Sequence, residues 1–187
     1  MKGFGTQLNF TYVDSKQTLN HPVTGAYCDS TSGGADNLSL NLNGCDTNGQ
    51  SFGDLPLVNL SKYTYNAALL YDRGPVSARL AYSWRSKYLL GVNVNSANGT
   101  NAYNTDPSSA DVGQENVAYG LPVYAGDYGE LDASVFYNIS SHVMLGFTAL
   151  NVTNSIYKEL TQQHIGLMGH AWYDSGRTYT AEVRVTM

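Results

Sequence analysis

Between Tyr65 and Ser86 the chain reads YNAALLYDRGPVSARLAYSWRS. On both sides of Arg73-Gly74-Pro75 every second residue is apolar or aromatic, and the residues between are small, polar or charged. Such period-two alternation predicts β-strands with two unlike faces. Six segments carry it: Gly3 to Val13, Tyr63 to Asp72, Val76 to Ser86, Gly129 to Asn138, His142 to Val152 and Arg177 to Met187. In the third, Val76, Ala78, Leu80, Tyr82 and Trp84 oppose Ser77, Arg79, Ser83 and Arg85. In the last, Tyr179, Ala181, Val183 and Val185 oppose Thr180, Glu182, Arg184 and Thr186. No stretch has a helical period. The expected fold class is all-β, an antiparallel meander of six long strands.

Short and long connections alternate. Arg73-Gly74-Pro75 and the Ile139 to Ser141 region predict tight hairpin turns. Asp14 to Lys62, Lys87 to Tyr128 and Asn154 to Gly176 are long, polar and rich in Gly and Asn; Asn37 to Asn43 (NLSLNLN) alternates and could extend a hairpin. In a meander, successive connections fall at opposite ends of the sheet, so one rim is trimmed and the other carries the bulk. Transmembrane barrels have that asymmetry, and structureless loops of such length are rare in compact domains.

Aromatic residues sit near the ends of each apolar face: Tyr63 and Tyr71, Tyr82 and Trp84, Tyr137, Tyr179. Lipid headgroup zones collect such side chains. Ten residues at about 3.3 Å each, tilted by about 45°, span roughly 23 Å, close to a barrel's apolar band. The opposite face carries Arg79, Arg85, Glu130, Asp132, Glu182 and Arg184, expected to line a hydrated lumen and to pair across neighbouring strands. A soluble antiparallel sandwich, or a surface adhesin with long loops, reproduces the alternation with its polar face in water. Loop asymmetry and aromatic placement favour the membrane. Six strands fall short of the roughly eight a single-chain barrel needs, so they are expected to complete a larger one.

Composition fits this picture. Charged residues make up 13% of the 187, while fifteen Tyr and nineteen Gly suit strands and turns. The net charge of −5 argues against nucleic acid as a partner. No apolar run approaches the roughly 20 residues of a membrane helix. Met1-Lys2-Gly3-Phe4 leads directly into a strand pattern without a signal peptide, so residues 1–187 are expected to be a segment of a longer protein. Cys28 and Cys45 lie in a polar stretch without zinc-type spacing; a disulfide across an exposed loop is the preferred reading over two free thiols.

The segments KGFGTQLNFTYVDS, LPLVNLSKYTYNAALLYDRGPVSARLAYSWRSKYL, YGELDASVFYNISSHVMLGFTALNVTNS and the closing GRTYTAEVRVTM resemble the C-terminal barrel of TonB-dependent outer-membrane receptors. The combination carries the resemblance: LSKYTYN before a strand, SARLAYSWRS after a tight turn, the LNVTN ending and GRTYTAEVRV near the terminus. It departs at the final residue, Met187, where outer-membrane proteins commonly have an aromatic. The resemblance implies the last six strands of a large barrel in the bacterial outer membrane, without plug domain or TonB-contacting box. It also implies the partners: the bilayer, the remaining barrel and plug, TonB through the missing part, and the barrel-assembly machinery. The activity implied is uptake of a scarce solute, whether iron chelate, cobalamin or oligosaccharide.

No enzyme chemistry is expected. Glu130 and Asp132 share a face, yet read as lumen charges rather than a glycosidase pair, and no nucleophile elbow appears. His164 and His170 lie in a loop without a supporting carboxylate and His142 belongs to the other rim, so neither metal nor cofactor is expected. Ligand contacts should come from the long connections, where Tyr103, Tyr119, Tyr124, Trp172 and Tyr173 are candidate stacking surfaces.

Overall fold

The computed structural model describes residues 3–17, 27–28 and 42–186; most of NLSLNLN, and Met187, lie outside them. The described residues form antiparallel sheets. Twelve strands follow in chain order: β1 (Phe4–Tyr12), β2 (Tyr63–Arg73), β3 (Val76–Arg85), β4 (Tyr88–Val92), β5 (Asn98–Tyr103), β6 (Glu115–Gly120), β7 (Pro122–Ala125), β8 (Tyr128–Asn138), β9 (Val143–Leu150), β10 (Tyr157–Gln163), β11 (Gly166–Tyr173) and β12 (Thr178–Val185). The six alternating segments are β1, β2, β3, β8, β9 and β12. They pair in that order in one open six-stranded sheet.

Register keeps the two faces separate across the sheet. Tyr65 stands opposite Trp84, Leu69 opposite Leu80, Leu80 opposite Ala133, Val135 opposite Phe147 and Phe147 opposite Ala181. On the reverse face, Asn66 meets Ser83, Ser83 meets Glu130 and Thr148 meets Thr180. A one-residue slip in any ladder would mix the faces. Aromatics gather into two belts on the apolar face, Phe4, Tyr71 and Tyr137 toward one end, Tyr12, Tyr63, Tyr65, Trp84 and Tyr179 toward the other. Leu8, Leu69, Leu80, Val135, Leu145 and Val183 fill the band between. Rings meet across strands within the belts, Phe4 tilted against Tyr71 at 4.8 Å and Tyr65 stacked on Trp84 at 5.1 Å.

The trimmed rim holds the turns at Gly74-Pro75, with Gly74 at φ 62°, and at Ile139, whose N–H donates to the Val143 carbonyl. The long connections leave from the other rim, and their described residues are folded. A second sheet, ordered β11-β10-β7-β4, carries the ribbons of β12, β8 and β3 onward, and β5 and β6 form a separate hairpin. The second sheet's inner strand β7 is covered on both sides. Val123 packs with Ala97 and Leu121 on one face, and Leu89 and Tyr124 pack with Leu55 on the other. Apart from Ala81 and Ala149, every buried apolar side chain among the described residues lies in this cap.

Asparagine serves these connections by adopting left-handed backbone, which most side chains resist; Asn59, Asn93, Asn95, Asn151 and Asn154 all have φ between 51° and 61°. Cys28 and Cys45 are bonded, their Cα atoms 6.3 Å apart. Cys45 exchanges both backbone hydrogen bonds with Gly120, which joins the first long connection to the second. Asp46, buried beside it, accepts from Asn48 N and Gln50 N and pairs with His164 Nδ1 at 2.6 Å, tying in the third. Removing the cross-link by Cys28→Ser with Cys45→Ser should cost the cap about 2–3 kcal/mol. Hydrogen exchange should quicken over residues 42–52 and 97–121 while Tyr63–Arg85 keeps its protection.

Candidate functional site

The polar face meets the cap in a concave site of about 470 Å³ lined by Thr64, Asn66, Ser83, Trp84, Arg85, Tyr128, Glu130 and Asp132. Strand pairing assembles it. Arg85, last residue of β3, lies opposite Thr64 on one side and Tyr128 on the other. Glu130 and Asp132 follow Tyr128 at two-residue steps along β8 and so project to the same face.

Each charged group is held in place. The Arg85 guanidinium lies 3.7 Å from the Tyr88 ring centroid, a cation–π contact. Its Nε donates to Ser61 Oγ at 2.9 Å and Nη2 to the Asn59 carbonyl at 3.3 Å. Glu130 accepts from the Tyr128 hydroxyl at 2.7 Å, and Asp132 accepts from Asn151 N at 3.0 Å. The expected pairing of strand charges does not occur. None of the ion pairs among the described residues joins two of Arg79, Arg85, Glu130, Asp132, Glu182 and Arg184. Register is the reason: Ser83 stands opposite Glu130, Ala81 opposite Asp132, Ser134 opposite Arg79, Gly146 opposite Glu182 and Met144 opposite Arg184.

Tyrosines extend the site along the rim. Tyr128 meets Tyr157 edge-on at 6.3 Å, and Tyr157 meets Tyr173 at 5.9 Å. Burial, then a hydrogen bond with the Tyr88 hydroxyl and the nearby Glu159 charge, hold the Tyr157 phenol above the usual tyrosine range. It is therefore neutral at physiological pH. The ladder thus sets its rings beside two carboxylates and one guanidinium.

Of the five aromatic residues expected to bind ligand, Tyr173 joins this ladder. Tyr119 packs against the core around Cys45 and Val117, and Tyr124 is buried with Leu55 and Leu89 beneath the Lys87 ammonium. Tyr103 and Trp172 are half exposed elsewhere on the cap, and the strand alternation turns Trp172 away from Tyr173's face. Tyr88, Tyr128 and Tyr157 are the members that sequence reasoning missed. Tyr128 was within reach, since it lies in phase with Glu130 and Asp132. Tyr88 and Tyr157 follow breaks in the ribbons at Ser86-Lys87 and Asn151 to Ile156, where the phase is lost.

The described histidines, His142, His164 and His170, each meet different partners. His164 pairs with Asp46 and stacks on Phe52 at 4.6 Å, the His170 ring is 2.9 Å from the Asn95 carbonyl, and His142 sits beside Ser141 at the trimmed rim. Among the described residues no group of three or more His, Cys, Asp or Glu side chains is placed to hold a metal ion.

No family model, curated protein or solved structure matches the chain. Arg85→Met keeps the aliphatic stem and removes the fork that joins Ser61, Asn59 and Tyr88. Loss of the cation–π contact and two hydrogen bonds should loosen this junction by about 1–3 kcal/mol. Faster amide exchange in residues 59–63 and 88–92, with β8 and β9 unchanged, would be the signature.

Proposed function

We propose that the chain forms part of the wall and mouth of an active-transport receptor in the bacterial outer membrane, of the TonB-dependent kind. One observation carries the reading: Leu69, Leu80, Val135 and Val183 are not sealed against one another but stand 47%, 43%, 41% and 67% exposed. They belong to a single unbroken apolar face far larger than soluble monomers leave uncovered. Its two aromatic belts and aliphatic middle suit a bilayer, with ring tips at the headgroups and Leu and Val among acyl chains. The reverse face, with its Asn, Ser, Thr and unpaired charges, suits a water-filled lumen.

The remaining parts follow from that orientation. β1 and β12 each leave one edge unpaired among the described residues, at a cost of several kcal/mol per orphaned group in hydrocarbon. The rest of a larger barrel would pair them and enclose a plug. The trimmed rim would face the periplasm and the cap the outside, where a scarce solute such as an iron chelate, cobalamin or oligosaccharide is captured. Energy would reach the plug through TonB, and the barrel-assembly machinery would insert the whole.

Neighbouring residues on opposite faces give a direct test. In intact outer membranes, Ser134→Cys should react with a water-soluble maleimide and Val135→Cys should not. Equal labelling of both, or recovery of the protein in the soluble fraction, would sink the membrane assignment in favour of a soluble sandwich. Val135→Lys, near mid-bilayer, should cost about 2–4 kcal/mol of insertion and lower outer-membrane abundance, whereas Ser134→Lys should be nearly neutral. The transport class has its own check: the coding sequence upstream of Met1 should run in frame into a plug-type domain, and a stop codon after a short leader there would refute it.

A further inference from the structure

The site where the polar face meets the cap has a chemistry that selects among solutes. Its lining offers one ring and several hydroxyl-binding groups: Tyr128, the Glu130 and Asp132 carboxylates, and the Asn66 amide; beyond the lining, Tyr157 meets Tyr128, and Tyr173 meets Tyr157. Among the described residues Arg85 is the only cation lining the cleft, and it is already committed to Tyr88, Ser61 and the Asn59 carbonyl. An anionic chelate or phosphate would meet two carboxylates with no free cation to offset them, and repulsion between like charges at contact distance is costly where water is partly excluded. A cation would find the carboxylates on separate steps of β8, one bonded to a phenol and the other to a backbone amide.

A neutral polyol satisfies every group. Carboxylates accept hydrogen bonds from hydroxyls, and these charge-assisted bonds are stronger than neutral ones. Asn66 both donates and accepts. The weakly polar C–H faces of a pyranose ring cover a phenol ring and remove apolar surface from water, while its rim of hydroxyls reaches the flanking polar groups. Tyr157 and Tyr173 add ring surface along the rim, inclined to Tyr128 and to each other, which suits a chain of sugars rather than a single ring. A cleft of about 470 Å³ falls in the range of small-molecule sites and admits a short segment of such a chain.

We propose that this site binds a neutral oligosaccharide, with Tyr128, Tyr157 and Tyr173 stacking on sugar faces and Glu130, Asp132 and Asn66 gripping hydroxyls. The proposal names the solute class for the transport reading above and rests on it only for its setting, because the recognition chemistry holds in a soluble protein as well. The intact protein, extracted in detergent from its own cells, is screened against an array of neutral glycans, with an anionic ferric chelate and cobalamin as comparison ligands. Binding to one glycan class with neither comparison ligand bound is the expected result. Tyr157→Ala should then weaken that binding about tenfold while Tyr157→Phe, which keeps the ring and loses the hydroxyl, stays within about threefold. Glu130→Gln should weaken it without shifting the near-ultraviolet circular dichroism.

Absence of binding across the glycan array, preference for the chelate or cobalamin, or full affinity in Tyr157→Ala would overturn the assignment. A membrane-resident protein that ignores every glycan removes this inference and leaves the barrel reading intact. A soluble protein that binds glycan does the opposite.

Discussion

The structure depends on phase. Across five ladders every alternate residue keeps its side, so that the apolar face is continuous from Phe4 in β1 to Val185 in β12. Backbone hydrogen bonding alone is indifferent to a two-residue shift and nearly so to a one-residue shift; side chains decide. Here the aromatic pairs do so. Phe4 with Tyr71, Tyr65 with Trp84 and Phe147 with Tyr179 each lock a strand to its neighbour at a belt, and such pairs contribute on the order of 0.5–1.5 kcal/mol beyond their buried area. With the phase set, an oily face and a hydrated face follow together, and so does the convergence of Arg85, Glu130 and Asp132 at one end of the latter.

Burial is distributed in an unusual way as a result. A soluble β-protein turns its alternating strands inward and leaves its loops wet. In this chain the alternating strands bury almost nothing large, while the cap made from the long connections is packed on both sides. Leu89 and Tyr124 serve one side of the second sheet, Val123 the other. The cap therefore has a water-excluding interior of its own, and the disulfide, the Cys45–Gly120 exchange and the Asp46–His164 pair knit its three connections. The six-stranded sheet has no such interior. Its apolar face is left uncovered by the described residues; on the transport reading lipid covers it, and the two halves of the molecule then answer to different solvents.

That difference explains what could be read from sequence. All six long strands were legible to within one or two residues, because their two faces differ in chemistry and the alternation is clean. The strands of the cap were not. Tyr88-Leu89-Leu90-Gly91-Val92 and Pro122-Val123-Tyr124-Ala125 are covered on both faces and carry no alternation; placed among Gly and Asn, they resemble loop. The same blind spot affected the site. Arg85, Glu130 and Asp132 kept phase with long strands and were found, whereas Tyr88 and Tyr157 lie past irregular breaks that reset it. Tyr119 and Tyr124 looked like exposed stacking surfaces only because the surrounding chain was read as unpacked.

The edges of the sheets give the sharpest contrast. β4 closes one side of the second sheet, and its outer edge is attended to: Asn59 N donates to the Leu89 carbonyl, and Arg85 clasps Ser61 and Asn59 beside it. Proteins shield edge strands by covering, twisting, shortening or charging them, since a bare edge recruits further strands. β1 and β12 receive none of these protections among the described residues. They run nine and eight residues, include no proline, and carry two charged residues, Glu182 and Arg184, on the polar face alone. An edge left long, regular and apolar on one face is an edge built to be paired. Folding of the cap can proceed on contacts within the chain, whereas on the transport reading folding of the long sheet needs partners at both ends. On the transport reading, those partners are the neighbouring strands of the same barrel, and the cap would then reach the membrane already holding its binding surface in shape.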